Sequence, residues 1–125
     1  MPLQIKMKKI LVVDDSQTIL HEATDALERA GYEVFTASNG FEAITQITDH
    51  HPDLVFLDIV MPKLDGYKTC SLVKSNQTYK DIPVVMVSSM TGLFDRVKGR
   101  LVGAEDHINK PFVKEELLDA AKRYL

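Results

Sequence analysis

Apolar residues fall along this chain in two alternating patterns. Short unbroken runs at residues 10–13, 54–57 and 83–87 are rich in Val, Ile, Leu and Phe, with no polar alternation. Runs of that kind predict strands covered on both faces. Between them, apolar residues recur at helical spacing. Ile19, Ala23, Leu27 and Ala30 mark a helix over 18–30, closed by Gly31 in a cap position. After a strand at 33–37, Ser38-Asn39-Gly40 turns the chain into a helix over 41–49, with Ala43, Ile44 and Ile47 inward. His51-Pro52-Asp53 ends it. Asp65 caps a third helix to residue 75, carrying Tyr67, Leu72 and Val73. The segment 93–101 is a poorer helix, because Gly92 and Gly99 favour mobility. A short fifth strand at 106–108 stops at Asn109-Lys110-Pro111, and a helix over 113–125 closes the chain with Leu117, Leu118, Ala121 and Leu125.

Five short apolar strands alternating with five helices predict an α/β, doubly wound, five-stranded parallel sheet in a single domain. Right-handed crossovers make the flavodoxin-like order 2-1-3-4-5 the natural one. Residues 1–8 are expected to be a loosely held N-terminal extension, with the domain at 9–125.

Composition narrows the function classes. A net charge of −3 gives no electrostatic reason to expect nucleic-acid binding. No apolar run reaches membrane-spanning length, so no membrane insertion is expected. Cys70 is the only cysteine, which excludes an internal disulfide and fits a reducing cytoplasm. It lies in a helical pattern and reads as a small packing residue.

The chemistry lies where the strands end. Strand one runs into Asp14-Asp15, strand three into Asp58, strand four into Ser88 and strand five into Lys110. Each has an ordinary explanation by itself: a helix cap, a turn, a loop. In a parallel sheet, however, all these ends share one edge, where open α/β sheets place their ligands. Three carboxylates within about 5 Å repel by roughly 3 kcal/mol per pair at an effective dielectric near 20. Lys110 offers one compensating charge and a divalent cation two more. All-oxygen donors favour Mg²⁺, which accepts phosphate oxygens, and a carboxylate nucleophile can form an aspartyl phosphate.

Asp14-Asp15, Asp58 followed by Met61-Pro62 and Asp65-Gly66, Ser88 and Lys110-Pro111 resemble the full signature of response-regulator receiver domains of the chemotaxis-regulator (CheY-like) type. The resemblance covers residues 8–125. It implies Asp58 as phosphoacceptor, with a histidine kinase phosphodonor domain as partner. It implies Mg²⁺ held by Asp15, Asp58 and the backbone carbonyl of Val60, with Asp14 assisting through the metal's water shell or Lys110. Ser88 would turn its hydroxyl inward when phosphate arrives, and Lys110 would pair with the phosphoryl group. The bond before Pro111 is expected to be cis. A narrower likeness, in residues 61–70 and 92–100, is to the single-domain twitching-motility regulators of type IV pilus systems, the PilG type. The expected protein is thus a monomeric signalling protein rather than an enzyme. With no output domain attached, its signal is expected to leave through a downstream protein bound at the face of the fourth helix, fifth strand and fifth helix.

Two positions depart from the family pattern. Three residues before the lysine, the family usually carries Tyr or Phe, and here stands His107; after the hydroxyl residue it often carries Ala, and here stands Ser89. An aromatic at the place of His107 normally swings into a pocket vacated by the hydroxyl residue. With a reference pKa near 6.5, His107 would charge just below neutrality, and inward rotation would then become costly. Two other classes fit less well. Aspartyl-phosphate phosphohydrolases of the haloacid-dehalogenase kind carry their nucleophile in an Asp-Xaa-Asp after strand one, and here those acids are adjacent. Flavodoxin-like electron carriers need hydroxyls and amides where this chain has two acids.

Overall fold

The computed structural model describes residues 6–90 and 92–125 of the 125-residue chain. Ten elements alternate: β1 (Lys9–Val13), α1 (Gln17–Arg29), β2 (Glu33–Ala37), α2 (Gly40–His50), β3 (Leu54–Leu57), α3 (Gly66–Lys74), β4 (Val84–Ser88), α4 (Leu93–Leu101), β5 (Asp106–Asn109) and α5 (Lys114–Tyr124). All four strand pairings are parallel, in the order β2-β1-β3-β4-β5. Of the expected N-terminal extension, residues 1–5 lie outside the described residues.

The lack of polar alternation in the central strands follows from two-sided burial. Successive strand residues point to opposite faces, and both faces are covered. Leu11, Val55, Leu57 and Met86 pack with Ala43, Ile47, Cys70 and Val73 of α2 and α3. Ile10, Val12, Phe56 and Val85 pack on the other side with Leu20, Leu27, Leu117 and Ala121 of α1 and α5. Register places the polar ends together: Val13 lies beside Leu57, and Ser88 beside Asn109, immediately before Lys110.

The expected elements all form, with shifts at their ends and in one helix phase. In α1 the buried residues are Leu20, Ala23 and Leu27, whereas Ile19 is half-buried and Ala30 exposed. Leu20 and Ile19 are both one turn from Ala23, and the packing against α5 selects the first. Leu72 in α3 is exposed, because Tyr67, Cys70 and Val73 already fill the inward face. The cap of α1 is Ser16, whose Oγ accepts from the amide of Ile19. Asp65 caps α3 as the sequence indicates, accepting from Lys68 N at 2.8 Å. Gly31 follows α1 at φ 98°, a conformation that favours glycine.

Candidate functional site

Local sequence dictates how the strand ends are held. Asp14 directly follows β1, and its Oδ1 accepts from the amide of Ser16 at 2.9 Å, turning the chain into α1. Asp58 directly follows β3, with its Oδ1 taking its neighbour's amide, Ile59 N, at 2.8 Å. The loop after Asp58 folds tightly back: Gly66 N donates to Ile59 O at 2.8 Å, and any Cβ on Gly66 would collide with the carbonyl oxygen of Asp58. Gly66 is therefore what lets α3 start against the site.

Asp14 and Asp58 are buried, at 2% and 6% exposure, and Asp15 is exposed. Lys110 Nζ reaches both buried carboxylates, 2.5 Å from Asp14 Oδ2 and 3.4 Å from Asp58 Oδ2. Its backbone N donates to Ser88 O at 3.1 Å, which ties the ends of β4 and β5. Ser88 is buried, and its Oγ accepts from Met90 N at 3.1 Å. The Lys110–Pro111 bond is cis. Val60 sits on the rim with its side chain exposed. Asp14, Asp58, Ser88 and Lys110 thus come together, with Asp15 beside them.

The electrostatics follow from burial and charge. Desolvation, then the charge of Asp14, pushes the Asp58 carboxyl up from 3.8 to about 6, with Lys110 opposing the rise. Burial alone would lower Lys110, but the hydrogen bond to Asp14 and the charge of Asp58 outweigh it and the ammonium is held more firmly protonated. One carboxylate oxygen from each of Asp14, Asp15 and Asp58 lies within 4.8 Å of the others. Among the described residues Lys110 is the only ion-pair partner of Asp14 and Asp58. Three carboxylates against one ammonium leave two negative charges, which a divalent cation would balance. The donors are hard oxygens and one of the three residues faces water, which suits Mg²⁺ with its retained waters.

His107 lies in β5 beside Met86 of β4 and is half-buried. Its Nε2 is buried with no hydrogen-bond partner. Burial, then the nearby Arg96 charge, holds its pKa below the usual imidazole value. Protonation therefore begins at a lower pH than the sequence alone suggests. A residue that sequence reasoning missed is Asn109, whose Oδ1 accepts from Arg96 Nη2 of α4 at 3.2 Å, linking the neighbour of Lys110 to α4. No periodicity or motif marks that link, which joins residues across a loop.

The family model for the response regulator receiver domain matches residues 10–122. The chain belongs to that family, whose members are signalling proteins rather than enzymes. Within it the chain is similar to Protein PilG of Pseudomonas aeruginosa, 50% identical over 117 residues that make up 94% of this chain and 87% of that protein. It is 44% identical to the probable transcriptional regulator ycf27 of Cyanophora paradoxa, where the match covers 92% of this chain but 47% of the relative. Among solved structures, the chemotaxis protein CheY4 of Vibrio cholerae superposes with a TM-score of 0.92 at 35% identity, covering 96% of this chain and all of that one. No helix among the described residues is long and apolar enough to cross a membrane.

Proposed function

We propose that this receiver accepts a phosphoryl group on Asp58 from a phosphohistidine of a histidine kinase, and that the modified domain then binds a downstream protein through α4, β5 and α5. The observation that carries this reading is the buried Asp58 carboxylate at a strand end, within reach of the one lysine that it shares with Asp14. An Asp58 carboxylate oxygen attacks phosphorus. An O–P bond forms as the P–N bond breaks, and the imidazole leaves with the electron pair and takes its proton from water. Asp14, Asp15, Asp58 and the carbonyl of Val60 would hold Mg²⁺, which when bound offsets the negative charge gathered there. Lys110 turns from Asp58 toward the incoming phosphoryl group while keeping Asp14. Ser88 gives up its contact with Met90 N and turns its hydroxyl toward the same group, which frees space along β4 and β5 beside His107.

The likeness to the PilG type supports a role in chemotaxis-like control of type IV pilus twitching, in the cytoplasm, with the receiver acting as a monomer. Hydrogen exchange with and without beryllofluoride and Mg²⁺ tests the output half of the proposal. Residues 92–107 should change protection first, and changes confined to α1 would overturn it.

A further inference from the structure

Helix α4 is held in place by polar contacts more than by packing. Its only buried residue is Gly99, over Met86 of β4, whereas Leu93, Phe94 and Leu101 are 80%, 76% and 81% exposed. A helix that buries so little apolar surface resists displacement weakly, and its few contacts with other elements set where it rests. Among the described residues, two side-chain hydrogen-bonding ties join α4 to other elements, one on each side. Arg96 reaches Asn109 at the end of β5, next to Lys110. Asp95, in the first turn, accepts from the Tyr67 hydroxyl of α3 through both its Oδ1 and its backbone carbonyl, each at 3.3 Å. Lys98 Nζ lies 4.5 Å over the face of the same ring.

Tyr67 is anchored where α4 is not. It is buried in the core with Met61, Cys70 and Val73, and it directly follows Gly66. The Gly66 amide donates to Ile59 O at 2.8 Å, and no Cβ fits there against the Asp58 carbonyl. Burial first, then the Asp95 charge, raises the phenol pKa, so the hydroxyl stays a donor. Ser88 lies a few residues before α4, and its Oγ accepts from Met90 N at 3.1 Å. When Ser88 gives up that contact for the phosphoryl group, the start of α4 is displaced with it. Tyr67 stays behind, so its bonds to Asp95 lengthen or bend. We infer that Tyr67 is a positioning residue for the phosphorylation reaction: through Asp95 it restrains α4, and thereby Ser88, against the move toward the phosphoryl group. This rests on the output reading above and adds a restraint separate from His107. A contact made in full only before the move weakens phosphoryl binding by its own worth.

Tyr67→Phe removes the hydroxyl and keeps the ring beneath Lys98. The full chain is titrated with Mg²⁺ alone and then with beryllofluoride at saturating Mg²⁺, both followed by the amide resonances of Ile59 and Gly66. Tyr67→Phe should bind beryllofluoride about threefold to tenfold more tightly, with Mg²⁺ affinity unchanged. Asp95→Ala should tighten binding by less, since the backbone carbonyl still accepts, and should add nothing on top of Tyr67→Phe. Asp95→Asn keeps an accepting oxygen and should stay near wild type. A purely structural role for the hydroxyl would lower the urea midpoint and leave beryllofluoride affinity as it was. Equal or weaker affinity in Tyr67→Phe, or a matching change in Mg²⁺ affinity, overturns the inference. If Tyr67→Phe does not fold, Asp95→Ala against Asp95→Asn decides it, and equal affinities for those two overturn it. Beryllofluoride binding that no variant alters sinks this inference alone, whereas no binding by the wild type sinks the reading beneath it.

Discussion

Replacing Asp58 by Asn should stabilise the metal-free protein. Asp58 is buried beside Asp14, and its carboxyl is pushed from 3.8 to about 6 by burial first and by that neighbour second. A raised carboxyl pKa means that the folded state holds its proton longer than the unfolded chain. The contribution of Asp58 to wild-type stability is therefore fully present below about pH 4, is lost as pH rises toward and through about 6, and then levels off. At about 1.4 kcal/mol per pKa unit the shift corresponds to roughly 3 kcal/mol, and solvent at the open sheet edge reduces this to about 2 kcal/mol. The Asn side chain is neutral and nearly isosteric, and it leaves Lys110 its 2.5 Å partner Asp14. Urea unfolding in EDTA should thus show Asp58→Asn more stable by about 2 kcal/mol near pH 7.5, or about 6–10 °C in Tm for a domain of this size. The difference should shrink toward zero near pH 4. Mg²⁺ should stabilise the wild type and affect the variant much less, since a ligand bound only by the folded state raises its stability. A variant less stable than wild type near pH 7.5, or a gap that does not vary with pH, would refute the electrostatic reasoning.

Two further outcomes follow from the same geometry. Lys110→Met should cost about 3–5 kcal/mol in urea unfolding near neutral pH, because it strands the carboxylates of Asp14 and Asp58 in a buried site; added Mg²⁺ should recover part of that loss, and a loss below about 1 kcal/mol would show that the pair is not coupled to folding. For His107, a folded pKa held down by burial and Arg96 means that acid is taken up more readily by the unfolded chain, so stability falls as pH drops below about 6.5. His107→Tyr should flatten that acid slope in denaturation midpoints, and it should remove any pH dependence of the affinity gain that beryllofluoride gives for a partner peptide; an unchanged slope would place the imidazole outside the switch.

Most of the fold was legible because two-sided burial leaves an unambiguous mark, as in the unbroken run Leu54–Leu57. The candidate site was legible as a group for a related reason: parallel topology carries every strand end to one edge, so Asp14, Asp58, Ser88 and Lys110 could be placed together, whereas their separate roles came from the resemblance to receiver domains. What was not legible depended on neighbours. The choice of Leu20 over Ile19 is a helix phase of one residue, set by packing against α5. The exposure of Leu72 reflects an inward face already filled by Tyr67, Cys70 and Val73. In α4 the glycines suggested only mobility. That its apolar residues face water, with Gly99 as its one buried residue, depends on where β4 and β5 lie beneath it. The link from Asn109 to Arg96 likewise arises from side chains meeting across a loop.

The most direct test of the central proposal is covalent. The purified chain is incubated with acetyl phosphate and Mg²⁺, and its intact mass and peptide map are recorded beside those of Asp58→Asn and a control in EDTA. The account predicts a single added phosphoryl group, located on Asp58, absent from the variant and from the EDTA control. Labelling of Asp58→Asn at the wild-type rate, or a phosphoryl group mapped to Asp14 or Asp15 instead, would contradict it.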